Sequence, residues 1–225
     1  MKPGIDLLEK IISIEWDMFT SVNKDEEPTS CQKNPTTFEG MRTAQFSAWS
    51  LPAAQAYLCD LETARQTGRN LIEEKYIYMM KTTEPEQYAA LLPRVTPPVE
   101  SALSLAQEVS AILLKQMRTL FEDYPYISGQ GRPLYSEADC YNIVSVETYQ
   151  LCELMTYSVK TLAALKGHIT ALEKNSVSLA QVILENTVRF YGYETLDTAE
   201  SATRKLAQAA QNARKKVEQP RSDTE

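Results

Sequence analysis

The chain has 225 residues, only seven glycines, and a formal net charge of -7 at pH 7. That charge excludes a broad nucleic-acid footprint, which needs unpaired lysine and arginine on one face. With 43% hydrophobic and 24% charged residues the composition is that of an ordinary globular protein, and so few glycines argue against an all-β chain full of tight turns.

Residues 4–22 read as an amphipathic helix whose apolar stripe is Ile5, Leu8, Ile11, Ile12, Met18, Phe19 and Val22. Glu15 falls inside that stripe, four after Ile11 and four before Phe19. Residues 23–39 are polar, contain Pro28 and Pro35, and read as a long loop carrying Cys31. A short helix from Phe38 to Trp49 puts Arg42, Phe46 and Trp49 on one face and Met41, Gln45 and Ala48 on the next.

The stretch 50–81 reads as one continuous helix. Ser50 is an N-cap, Pro52 sits in the first turn, and no proline follows until Pro85. Roughly 30 residues at 1.5 Å each would span about 45 Å, the width of a compact domain of this length. Its stripe is Tyr57, Leu61, Ala64, Gly68, Leu71 and Met79, and Lys75 lies on it. Arg69, Asn70 and Glu74 occupy the neighbouring face.

Thr83-Glu84-Pro85-Glu86 has the form of a capping box and predicts a short helix to about Leu92. Thr96-Pro97-Pro98 starts another, to about Phe121, with apolar residues at threes and fours from Val99 to Leu120. Residues 123–138, with Pro125, Gly129, Gly131 and Pro133, read as a second long loop. Residues 144–173 read as one long helix with a seam from Leu151 to Leu172, and Glu147 sits on that seam four before Leu151. A helix at 176–191 carries Asn186 in its apolar face. Asp197-Thr198-Ala199-Glu200 is a second capping-box pattern, opening an alanine-rich helix to about Val217.

No segment alternates with period two, and no repeat has solenoid spacing. The expected architecture is all-α: a single helical bundle of six to eight helices organised around the long helix at about 51–81. One domain at 1–217 with a frayed tail at 218–225 is the expected organisation. No apolar run approaches the roughly 18 residues that span a bilayer, so no membrane is expected as a partner. Asp6, Glu9 and Lys10 interrupt the N-terminal hydrophobics, unlike a signal peptide. Cys31, Cys59, Cys140 and Cys152 are dispersed with no C-x-x-C, which fits a reducing, cytoplasmic setting.

An ionisable group in an apolar stripe must be neutralised, paired or hydrated. Glu15, Lys75 and Glu147 pose that problem on three separate helices. Structural ion pairs answer it, and so does a shared polar pocket between helices. The pocket reading assigns Glu15, Glu74, Lys75, Tyr76 and Glu147 as candidate acid–base groups. Arg42, Gln45, Arg69, Asn70 and Tyr149 are then candidate substrate-binding groups. The single histidine, His168, has no Glu three before it, so the pattern of a histidine–carboxylate di-metal bundle is missing. No metal and no cofactor is assigned, although an all-carboxylate Mg²⁺ or Mn²⁺ site stays open.

Glu15-Trp16-x-Met-Phe19, Met41-Arg42-x-x-Gln45-Phe46, Gly68-Arg69-Asn70-Leu71 and Glu74-Lys75-Tyr76-x-Tyr-Met-Met80 resemble a family catalogued as domain of unknown function 4125. The likeness continues through Glu147-Thr148-Tyr149 and Tyr191-Gly192-Tyr193. The resemblance implies a single cytoplasmic helical domain found in microbes and supplies no reaction. Two functions are therefore carried forward. The first is an enzyme of small-molecule metabolism, secondary metabolism included, acting on an anionic or polar metabolite. The second is a non-catalytic ligand-binding or interaction module, a homo-oligomer included, whose buried charges are structural.

Overall fold

The computed structural model describes residues 1–22 and 32–218, with side chains to residue 213. Cys31 and the tail from residue 219 lie outside the described residues. Within them helices are the only extended regular structure, and the only bridge between extended residues joins Cys140 to Ile143. The first helices are α1 (Ile5–Thr20), α2 (Pro35–Phe46), α3 (Leu51–Gln66), α4 (Leu71–Thr83) and α5 (Pro85–Leu91). Next come α6 (Glu100–Asp123) and the single turn α7 (Pro125–Ser128). Then follow α8 (Val146–Leu154), α9 (Val159–Glu173), α10 (Leu179–Phe190) and α11 (Leu196–Glu218).

The stretch 51–81 is helical, but as two segments rather than one rod. Gly68 takes a left-handed φ of 72°, and the Arg69 N–H reaches back to the Ala64 carbonyl at 2.8 Å. That is a Schellman ending, which closes the last carbonyls of α3. Two residues later the Asn70 side chain accepts from the Ile72 and Glu73 N–H groups, each at 3.0 Å, and starts α4. The 144–173 helix is likewise two, because Ser158 caps a new start by accepting from Thr161 N–H at 3.2 Å. The second loop also contains the turn α7. These three changes take the expected number of helices from eight to eleven.

Neither capping box forms. Glu84, not Thr83, precedes α5, and its side chain caps nothing. At α11 the cap is Thr195, which accepts from Thr198 N–H at 3.2 Å. Glu200 instead accepts the Tyr126 and Ile127 N–H groups at the start of α7, at 2.9 to 3.1 Å. A carboxylate satisfies a helix N-terminus wherever it finds orphan donors, and a second helix supplied them.

Helix α3 runs through the middle, packed against α1 and α9. Ala53, Ala54 and Ala64 are almost wholly buried along it, and such small side chains let helices approach closely. Helices α4 and α8 pack side by side, α6 lies against α8, α9 and α10, and α10 returns against α2. Asn186, the polar residue on the apolar face of α10, donates to the Ala44 carbonyl at 3.1 Å and to Ser47 Oγ at 3.2 Å. It therefore ties α10 to the end of α2. Together α1, α2, α4, α6, α8, α9 and α10 contribute walls to a cavity between the helices.

Candidate functional site

Glu15 on α1 is completely buried. Arg42 on α2 grips it at two points, Nε and Nη2 each 2.7 Å from a carboxylate oxygen. The Tyr57 hydroxyl of α3 donates to the same carboxylate at 2.7 Å. On the far side of the guanidinium, Arg42 Nη1 donates to Gln45 Oε1 at 2.8 Å and reaches the Glu153 carboxylate of α8 at 3.3 Å. Glu153 also receives Gln45 Nε2 at 3.0 Å, Tyr157 Oη at 3.0 Å and Lys75 Nζ at 3.1 Å. Lys75 Nζ donates in addition to the Tyr149 hydroxyl at 2.9 Å. The result is one continuous chain, Glu15–Arg42–Glu153–Lys75–Tyr149, spanning α1, α2, α4 and α8.

Local sequence explains how these groups meet. Tyr149, Glu153 and Tyr157 are spaced by four, which aligns them on one side of α8 and its last turn. Arg42 and Gln45, three apart, share a face of α2 in the same way. Rings pack around the buried charges: Tyr57 and Tyr157 lie 4.7 Å apart, and Trp49 and Phe46 back them. A low-dielectric wall of this kind makes an unpaired ion costly and a paired one rigid. Every fully buried side-chain nitrogen and oxygen among the described residues has a hydrogen-bond partner.

The electrostatics follow from that geometry. Burial works against ionising Glu153, but Arg42 and Lys75 outweigh it and hold the carboxyl far below its usual range. Burial also works against the Lys75 ammonium, yet Tyr149 and Glu153 outweigh it and raise its pKa. In Glu15 burial prevails over Arg42, so its pKa is raised. Burial likewise pushes the Tyr57 and Tyr157 phenols well above their ordinary value. At neutral pH, then, Glu153 is an anion and Lys75 a cation.

This chain of charges opens on one side into a cavity of about 800 Å³. That is within the range of roughly 300–1,000 Å³ that small-molecule sites occupy. Arg42, Gln45, Lys75, Tyr76, Tyr149, Glu153 and Tyr157 line its polar end. Phe38, Leu113, Met117, Leu179 and Ile183 are among the apolar residues of the remainder. Arg132 stands exposed at the rim, its guanidinium 4.5 Å from the centre of the Tyr149 ring.

Five of the ten residues singled out from the sequence line this cavity: Arg42, Gln45, Lys75, Tyr76 and Tyr149. Glu15 sits immediately behind it, sealed by Arg42 and Tyr57. The other four are elsewhere. Glu74 is buried, but it pairs with Arg69 through two contacts of 2.8 and 2.7 Å, away from the cavity. Asn70 caps α4 and donates to the Met18 carbonyl at 2.8 Å. Glu147 lies off the cavity, in the first turn of α8, where it accepts the Ser136 N–H of the preceding loop at 2.8 Å. Stripe counting in the sequence does not reach Glu153 or Arg132. The cue for Glu153 was its place between Cys152 and Leu154, with a tyrosine four residues to either side.

The described residues hold no group of three or more histidine, cysteine, aspartate or glutamate side chains arranged to bind a metal ion. Cys152 is buried, and its thiol is pushed up to about 12 chiefly by burial. Such a thiol is inert at neutral pH. No helix among the described residues is long and apolar enough to cross a membrane.

Fold and site together define an all-α protein with a cavity between its helices and a buried ionic cluster at one end. The family profile described as Protein of unknown function (DUF4125) matches residues 5–201, and the chain belongs to that family. Neither the curated proteins nor the solved structures contain a significant match to the chain.

Proposed function

We propose that the chain binds a small organic molecule with a polar or anionic end in the cavity between α2, α4, α8 and α10. The observation that carries this reading is the one-sided opening of the ionic cluster. Glu15 is sealed, but Arg42, Lys75, Tyr76, Tyr149 and Glu153 line open space of ligand size. A purely structural ion-pair network has no need of an adjoining cavity of about 800 Å³. Arg42 is a scaffold in this reading, since both ends of its guanidinium are held by protein acceptors. Lys75, with a third N–H to offer, is the group that meets the ligand.

An enzymatic reading is favoured by one contact, the Tyr149 hydroxyl 2.9 Å from Lys75 Nζ. A phenol on an ammonium can pass a proton to a bound substrate. Glu153 is a poor general base by comparison, because its neighbours hold it ionised far below neutral pH. Binding is therefore the core of the proposal, and chemistry through Tyr149 an extension of it.

A thermal-shift screen with small organic acids and alcohols tests the reading, because a ligand that binds the folded state raises Tm. Ligands that stabilise the protein are expected to lose that effect in Ile183→Trp, which fills the cavity, and in Lys75→Met. Glu74→Gln serves as the control, since Glu74 is buried but off the cavity. Stabilisation that survives in both cavity variants would rule the reading out.

A further inference from the structure

We infer that the ligand is an amphiphilic monoanion, an organic carboxylate with an apolar body, whose head is held by Lys75, Tyr76, Tyr149 and Arg132. The inference rests on the cavity being a ligand site, as proposed above, and goes further by assigning the ligand's charge and shape.

The first line of support is charge. Arg42, Lys75 and Arg132 line the cavity as cations, Glu153 lines it as an anion, and Glu15 lies directly behind Arg42. Three positive charges against two negative leave an excess of one positive charge. The excess sits at a definite place. Lys75 Nζ and the Arg132 guanidinium each lie 4.5 Å from the centre of the Tyr149 ring. Of these two cations only Lys75 has a carboxylate partner among the described residues. A ring can hold a cation on its face, but two like charges sharing one ring repel each other. An anion seated beside them relieves that repulsion.

The second line is the hydrogen-bond inventory. Glu153 already accepts from Arg42, Gln45, Lys75 and Tyr157, and the Gln45 amide oxygen accepts from Arg42. The open groups at this end are donors. Lys75 makes two of its three hydrogen bonds. The Tyr76 hydroxyl makes none among the described residues, although its ring lies beside Lys75. Arg132 uses only Nη1, toward the Val144 carbonyl at 3.0 Å. Donors without acceptors call for an acceptor-rich head. One negative charge brings the site to neutrality. A phosphate dianion overshoots by one charge in a largely apolar chamber, where an unbalanced charge is costly.

The third line is the wall. Away from the head, Phe38, Met117, Leu179 and Ile183 offer no charged group, so the body that fits is hydrocarbon-like.

Isothermal titration calorimetry with four ten-carbon probes tests the inference: decanoate, decanol, decyl phosphate and decyltrimethylammonium, each below its aggregation threshold. Decanoate is expected to bind at least about tenfold more tightly than the other three, as one charge-assisted contact allows. Arg132→Gln and Tyr76→Phe alter groups that carry little of the fold. Each is expected to weaken decanoate several-fold, with Arg132→Gln also reducing its salt dependence, while decanol is unaffected. If decanol matches decanoate, or neither variant changes the preference, the assigned charge is wrong and the cavity reading survives. If decyl phosphate binds more tightly than decanoate, the head is not a carboxylate and the inference fails. If none of the four binds, the inference fails, and the thermal-shift comparison decides separately whether the cavity takes some other ligand.

Discussion

Arg42 holds Glu15 through two contacts of 2.7 Å and turns its remaining nitrogen toward Glu153, so one guanidinium bridges two buried carboxylates. Removing Glu15 strips Arg42 of its two-point partner and leaves the guanidinium, buried from water, with only the longer 3.3 Å contact to Glu153 as an ion pair. Glu15→Ala is expected to cost about 3–5 kcal/mol, the usual penalty for orphaning a buried charge. Urea denaturation checks this. The double variant Glu15→Leu/Arg42→Met is expected to be more stable than Glu15→Ala, because no lone ion remains. A loss under about 1 kcal/mol in the single variant would show that water reaches the pair.

The pH dependence of stability has two limbs of opposite origin. The folded-state pKa of Glu153 is lowered from the ordinary 4.5, so its stabilisation is complete above pH 4.5 and is lost as pH falls through the lowered value. The pKa of Lys75 is raised from 10.5, so its stabilisation is complete below pH 10.5 and is lost as pH rises through the raised value. Glu15 has the reverse sign to Glu153, because its raised pKa favours folding below pH 4.5 and that share is lost as pH rises. In Glu153→Gln, calorimetric Tm values against pH are expected to lose part of the acid limb and to show a weaker alkaline limb, because Glu153 helps to raise the Lys75 pKa. Lys75→Met is expected to flatten the alkaline limb.

Gly40 on α2 lies under the Phe190 ring of α10. A Cβ built there meets the Phe190 ring at 2.2 Å. The ring is 39% exposed and can swing outward, so Gly40→Ala is expected to cost about 1–3 kcal/mol rather than abolish folding. In a Phe190→Ala background most of that penalty is expected to disappear. A double-mutant cycle measures the coupling, and additive losses would place the cost elsewhere.

Gly68 and Ser176 make a matched test of backbone strain. Both are left-handed, at φ 72° and 57°, and both precede a Schellman hydrogen bond. No atom lies within 4 Å of a Cβ built at Gly68, so Gly68→Ala carries a backbone cost alone, about 1–2 kcal/mol. Ser176→Gly is expected to gain up to about 1 kcal/mol for the same reason. Thermal denaturation of the two variants should move in opposite directions.

Much of the site could be reached from single interruptions in apolar stripes. Glu15 and Lys75 stand out because each breaks a run of buried neighbours, and both belong to the buried cluster. Glu147 stands out for the same reason and belongs to a loop contact instead. The seam from Leu151 to Leu172 passes through Ser158 as though one helix continued, whereas Ser158 begins a second. Glu153 shows the opposite failure. It lies one residue from that seam, so stripe counting passes over it, although it is buried against Arg42 and Lys75. The 51–81 stretch teaches the same lesson, for Gly68 followed by Asn70 is a helix stop followed by a helix start.

The sequence by itself determined that the chain is helical, where most of its helices lie and which apolar faces they bury, because those properties depend on local propensity and on spacing along one helix. The tertiary structure alone decided that Glu153 pairs with Arg42 and Lys75, that Glu74 turns to Arg69, and that the resulting cluster opens on a cavity. Those outcomes depend on which of several nearby charges the packed helices bring into contact: the partners of Glu153 lie 111 and 78 residues away in the chain, whereas Glu74 takes one only five residues away. No periodicity within a single helix encodes that choice.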